Sequence, residues 1–215
     1  MTSAQIEAAA RNKYNSTGDT FYSSAEIVDY IYQAQLELAQ VCPIIEATYS
    51  TTSVASQQEY AYPTNTSVIK RIEFDGRKLS PITMRDDDSI TGLLSTTTSI
   101  GTPEFYFIWN RTLYLRPVPA TAALTIKIYS INEPQAMTTS SALEVPTLFH
   151  MDIVDFVVAQ MAYKDENSRV GQLYEARWEK AKGRAAIWVN KRKRGDGFAS
   201  VQTEEQHAIT QFGVL

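Results

Sequence analysis

Three carboxylates in a row, Asp86-Asp87-Asp88, are the densest chemical feature of the 215-residue chain. Consecutive carboxylates could hold Mg²⁺ or Ca²⁺, but a calcium loop spaces its ligands at alternate positions and closes on a distant Glu. This run has neither feature and reads as a solvated loop. Asp152 and Asp155 fall on one helix face and could work as a paired acid and base. Charge at the positive end of a helix explains them more simply. The two histidines, His150 and His207, stand apart, one at a helix start and one in the C-terminal stretch. Cys42 is the single cysteine, next to Pro43, and reads as a small buried hydrophobe rather than a nucleophile. It excludes an internal disulfide and a thiolate zinc cluster. There is no Gly-x4-Gly-Lys phosphate loop, no Gly-x-Gly-x-x-Gly and no His-Glu-x-x-His. The expectation is a chain that is not an enzyme and needs no cofactor and no metal.

Charge offers a different chemistry. Lys191-Arg192-Lys193-Arg194 ends a long helical stretch, where cations compensate the helix dipole or meet an acidic partner or nucleic acid. Residues 191–215 hold four basic and three acidic groups, leaving sixteen basic against twenty-one acidic for the rest, or −5. The body reads as acidic with only a positive helix tip. The net charge of −4 and pI near 5.3 argue against tight wrapping of DNA, which needs clustered Lys and Arg. Such a surface suits DNA that must slide past without sticking.

A composition of 44% hydrophobic and 20% charged residues suffices for a packed core. The start lacks the basic-then-apolar pattern of a secretory signal, and no apolar run reaches the roughly 20 residues a membrane span needs. A soluble protein with no membrane contact is expected. Helices are predicted over 4–14, 23–42, 146–165 and 169–194, around a β-rich insertion over 47–130. Ser23 with Glu26 forms a capping-box signature, and Ile27, Ile31, Ala34, Leu38 and Val41 repeat at helical spacing. Asp75-Gly76 and Asn110-Arg111 mark hairpin turns, and Leu124, Ile126 and Ile128 alternate along a further strand. Arg85 to Thr102, rich in Asp, Ser, Thr and Gly, reads as an exposed loop. Pro146 opens the helical return, and Ile153 to Ala159 is apolar nearly all round, as a central buried helix is. In the last helix Tyr174, Trp178, Ala181, Ala185 and Trp188 form one stripe, assigned to subunit packing. The fold class is α+β: a bundle of N- and C-terminal helices with a central hairpin-rich sheet or small barrel. Residues 1–194 form the domain, and 195–215 an extended arm with anchors Phe198, Val201, Ile209, Phe212 and Leu215.

This layout resembles the head-to-tail adaptor, or connector, proteins of tailed bacteriophages over roughly residues 20–192. The likeness rests on Ser67-Val-Ile-Lys-Arg-Ile-Glu-Phe-Asp-Gly-Arg-Lys-Leu79 and on Gly101-Thr-Pro-Glu-Phe-Tyr-Phe-Ile-Trp-Asn-Arg-Thr-Leu-Tyr-Leu-Arg-Pro-Val-Pro119. Leu124-Thr-Ile-Lys-Ile-Tyr129 and the closing helix pair complete it. The resemblance implies a virion subunit at the head–tail junction, in a homo-oligomeric ring that is commonly dodecameric. The ring would bind the portal protein, extend the DNA channel and receive the tail tube or nozzle, with DNA passing unbound. In that family a C-terminal arm often reaches into the portal. A tail completion or tail-tube protein is the alternative, and a metal-dependent enzyme using Asp86 to Asp88 the more distant one.

Overall fold

The computed structural model describes residues 1–91 and 99–195. Two compact units divide the chain: Met1–Ile45 with Pro134 onward, and Glu46–Glu133. The first is helical and the second is built on strands, so helical ends enclose a sheet-forming middle along the sequence.

In the helical unit, α1 (Ser3–Tyr14) starts on a reciprocal cap. The Gln5 amide donates to the Thr2 hydroxyl, and the Thr2 amide donates to the Gln5 side chain, satisfying two otherwise orphaned donors. Asn15 ends it in the left-handed region, with φ of 59°. Helix α2 (Ser24–Val41) is capped by Ser23, whose hydroxyl accepts from the Glu26 amide at 3.2 Å. It stops where Cys42 turns extended ahead of Pro43. Arg11 braces the turn between these helices, donating to Glu7 and to the carbonyls of Asp19 and Tyr22. Pro146 opens a 3-10 turn, Thr147–Phe149, and the α-helix that follows, α4 (His150–Lys164), begins four residues later than the proline alone predicts. A long helix, α5 (Ser168–Gly195), closes the described chain.

Helix α4 is the hub, packing against α1, α2 and α5. Ile153, Val154, Val157, Val158, Met161 and Ala162 are fully buried, so nearly every face of the helix is covered. Each of the Ile, Val and Met side chains contributes about 1.5–3 kcal/mol by leaving water. α5 approaches it closely at Gly171, where an added Cβ would stand 2.5 Å from the Tyr163 ring.

The second unit holds two four-stranded sheets, ordered β1-β10-β3-β4 and β2-β8-β7-β5, and a two-stranded pair. In the first, β10 (Thr125–Asn132) runs antiparallel between β1 (Glu46–Thr52) and β3 (Thr66–Phe74). β4 (Arg77–Lys78) returns through Asp75 and Gly76, whose φ values of 48° and 75° make the tight hairpin turn. In the second, β7 (Phe105–Trp109) and β8 (Thr112–Arg116) form a hairpin through Asn110 and Arg111, also at positive φ (47° and 59°). β2 (Glu59–Ala61) flanks β8, and β5 (Ser80–Pro81) runs parallel to β7. Ile72, Leu113, Leu115, Ile126 and Ile128 are fully buried in one core cluster. The described strands form open sheets rather than the closed barrel held open as an alternative.

Residues 84–91 correct the first part of the loop expected over 85–102: they form a helix, α3 (Met84–Thr91), while residues 92–98 lie outside the described ones. Thr83 and Asp86 cap it reciprocally, the Thr83 amide and hydroxyl donating to Asp86 and the Asp86 amide donating to the Thr83 hydroxyl. These bonds hold the Asp86 carboxyl below its ordinary pKa.

Candidate functional site

The candidate reactive groups with described side chains are engaged structurally, and the Asp88 side chain lies outside the described ones. Asp87, expected in solvent, is only 6% exposed. It accepts from Arg116 Nε at 2.8 Å, while Arg116 Nη1 donates to Gln58 at 2.8 Å and the guanidinium lies over the Phe107 ring. The solvated-loop reading of the acidic run is therefore wrong at Asp87. A folded guanidinium drew the carboxylate in, from 29 residues along the chain. Asp152 and Asp155 are not a catalytic pair: Asp152 accepts from Arg184 at 2.6 Å, and Asp155 pairs with Lys13. Cys42 is buried. His150 is buried too, its Nε2 against the Val145 carbonyl at 3.0 Å and its Nδ1 against the Met1 amine at 2.9 Å. Burial pushes its pKa below the ordinary histidine value, and the ammonium adds to that, against the opposing pull of Val145. Among the described residues no group of three His, Cys, Asp or Glu could hold a metal ion, and no helix is long and apolar enough to cross a membrane. His207 lies outside the described residues.

What the helical unit does present is a long helix with different chemistry on each side. Facing inward on α5, Trp178, Ala181 and Ala185 are buried, with Tyr174 and Trp188 packed beside them. The Trp178 ring meets Phe156 at 5.2 Å between centroids, and its indole N–H donates to Glu37 at 2.8 Å. Trp188 meets Phe149 edge-on. This stripe, assigned from sequence to packing between subunits, is engaged within its own chain.

The two flanks remain. On one, Arg169, Arg177, Lys180, Arg184 and Lys191 are exposed at i, i+8, i+11, i+15 and i+22, a single row on a rod about 40 Å long. Leu173 and Ile187 stand in the same row, 52% and 57% exposed. Beside it Leu148 (63% exposed), Asp152, Arg184, Ile187 and Trp188 line a groove of about 400 Å³. Sequence arithmetic, which placed positive charge at the helix tip alone, missed this row. The 3.6-residue spacing of the cations was the signal that could have found it.

On the other flank, centred about 140° round the helix from the middle of the basic row, Glu175 and Glu179 are exposed. With Glu37 they rim a second groove, of about 360 Å³, floored by Phe156 and Trp178 and edged by Gln40 and Val41. Val41, expected in the buried stripe of α2, is 50% exposed there. Lys182 bridges Glu37 at 3.2 Å and Glu179 at 2.6 Å. Burial alone would lower the pKa of its ammonium; the two carboxylates outweigh that and raise it. Tyr163 donates to Glu175, which raises the phenol's pKa. Three carboxylates against one ammonium leave this flank acidic.

At the basic helix tip, Lys191 is exposed and Arg192 lies over the Trp188 ring at 4.8 Å. The side chains of Lys193 and Arg194 lie outside the described ones, as do the arm residues Phe198, Val201, Ile209, Phe212 and Leu215.

No curated protein matches the chain. A family model described as SU10 adaptor protein matches residues 1–203, spanning both units, and the chain belongs to that family of adaptors.

Proposed function

We propose that this protein is a ring-forming subunit of the head–tail junction of a tailed phage. Membership of an adaptor family supports a phage structural protein with a non-enzymatic role in the virion. The finer reading is that copies assemble, commonly twelve to a ring, on the portal protein. The ring extends the DNA channel and offers a surface to the tail tube or nozzle, and DNA crosses it without specific binding. The family match across residues 1–203 carries this reading. In it, residues 1–194 act as the adaptor domain. Residues 195–215 act as the arm that enters the portal, with Phe198, Val201, Ile209, Phe212 and Leu215 filling apolar pockets there. The cationic tip at Lys191 to Arg194 lies at the root of that arm and meets an acidic portal surface.

The test mixes purified protein with the cognate portal and images the product by electron microscopy. The expected result is a ring seated on the portal, lost when residues 195–215 are deleted. A chain that ignores the portal and binds tail proteins would establish the tail completion or tail-tube alternative instead.

A further inference from the structure

We infer that the two flanks of α5 are the two halves of one contact: the basic row of one copy docks on the acidic groove of the next. This rests on the ring reading above and names the surfaces that would close it. A ring of identical subunits needs a head-to-tail contact, in which one patch meets a different patch on the neighbouring copy. The helical unit carries two such patches, on opposite flanks of one helix and separated by the stripe that anchors it inward. Their charges are opposite. The basic row carries five cations, of which Arg184 is already paired with Asp152. The facing groove carries Glu37, Glu175 and Glu179 against Lys182. Apolar surface accompanies the charge on both sides, since Leu173 and Ile187 stand out from the row and the half-exposed Val41 edges the groove. The contact cannot form within one chain, because row and groove point away from each other on a single rigid helix.

A second copy fits these observations better than DNA does. Phosphates would reward the cations but not two half-exposed aliphatic side chains in the same row, and DNA would leave the acidic groove without a partner. A neighbour uses all of them. Such a contact combines a desolvated apolar centre with a polar rim, as interfaces between proteins do. Its charged part weakens as salt shortens the screening length to about 8 Å at physiological ionic strength.

The experiment uses the full chain carrying either R177E/K180E, which turns the row acidic, or E175K/E179K, which turns the groove basic. Assembly is followed by sedimentation velocity, with portal rings added if the chain alone stays monomeric. Each variant alone is expected to lose the ring, and an equimolar mixture is expected to recover it, since alternating copies again place opposite charges face to face. Far-UV circular dichroism and melting confirm that each variant folds. R177Q/K180Q, which removes charge without reversing it, is expected to weaken assembly and to reduce its salt dependence. If wild type forms rings and both reversed variants do so equally well, this inference is overturned while the ring reading stands. If wild type never forms a ring, even on the portal, the ring reading itself fails and takes this inference with it. If R177E/K180E assembles normally but loses retention of double-stranded DNA, the row meets DNA and the inference is overturned.

Discussion

At Arg111 a side chain occupies a backbone conformation that suits glycine. It is the second residue of the β7–β8 turn at φ of 59°, and its outward hydrogen bond, to the Thr64 carbonyl at 3.3 Å, is exposed and weak. The preceding hairpin solves the same geometry with Gly76 at φ of 75°. Arg111→Gly is therefore expected to stabilise the protein by about 0.5–1 kcal/mol, measured as a higher urea midpoint. His150 gives a pH dependence of known sign. Its pKa is lowered in the folded state, so the unfolded chain binds the extra proton first as pH falls. The stability it contributes is complete above about pH 6.5 and declines below that value. Urea midpoints should drop between pH 7.5 and pH 5, and His150→Gln should flatten that drop. Equal pH slopes for wild type and variant would show that His150 does not titrate in this way.

Among elements, α3 depends on one non-local pair. Asp87 and Arg116 side chains are 9% and 13% exposed, so removing either partner leaves a charge with little water to solvate it. Asp87→Ala should cost about 2–4 kcal/mol, and a double variant with Arg116→Met should recover part of it. Non-additivity in chemical denaturation is the readout. On the helical side, Trp178→Ala removes a fully buried ring and the donor to Glu37, for a loss of about 3–5 kcal/mol. These cases also show what could be read in advance. Local signals were legible: the Ser23 cap, the Pro43 stop, and the Asp75-Gly76 and Asn110-Arg111 turns all act within a few residues. The cap of α3 was local too, but it uses Asp86 where the usual box has Glu or Gln. Pairings such as β1 with β10, or Asp87 with Arg116, follow from where distant strands meet, and nothing near either residue announces them. The basic row of α5 was legible by spacing yet hidden by net charge, which sums opposite flanks into one number.

For the molecule as a whole, that cancellation is the point. A net charge of −4 describes neither flank of α5, one basic and one acidic, and a charge-matched ring would hide both from solvent. Raising salt should dissociate assembled wild type progressively, and light scattering should record the loss of ring mass. An assembly indifferent to salt up to about 1 M, where screening acts within roughly 3 Å, would point to an interface held by apolar contact alone.

The strand unit interrupts the helical one, and this has a consequence during synthesis. α1 and α2 emerge from the ribosome roughly 100 residues before α4, the helix that buries Ile27, Ile31 and Leu38. At typical elongation rates of about 5–20 residues per second, that is a wait of roughly 5–20 s. During it the nascent α2 keeps its apolar stripe uncovered while Glu46–Glu133 can already condense on its own core. The bundle is thus the last part to close, and its early half is where a chaperone would have reason to hold on.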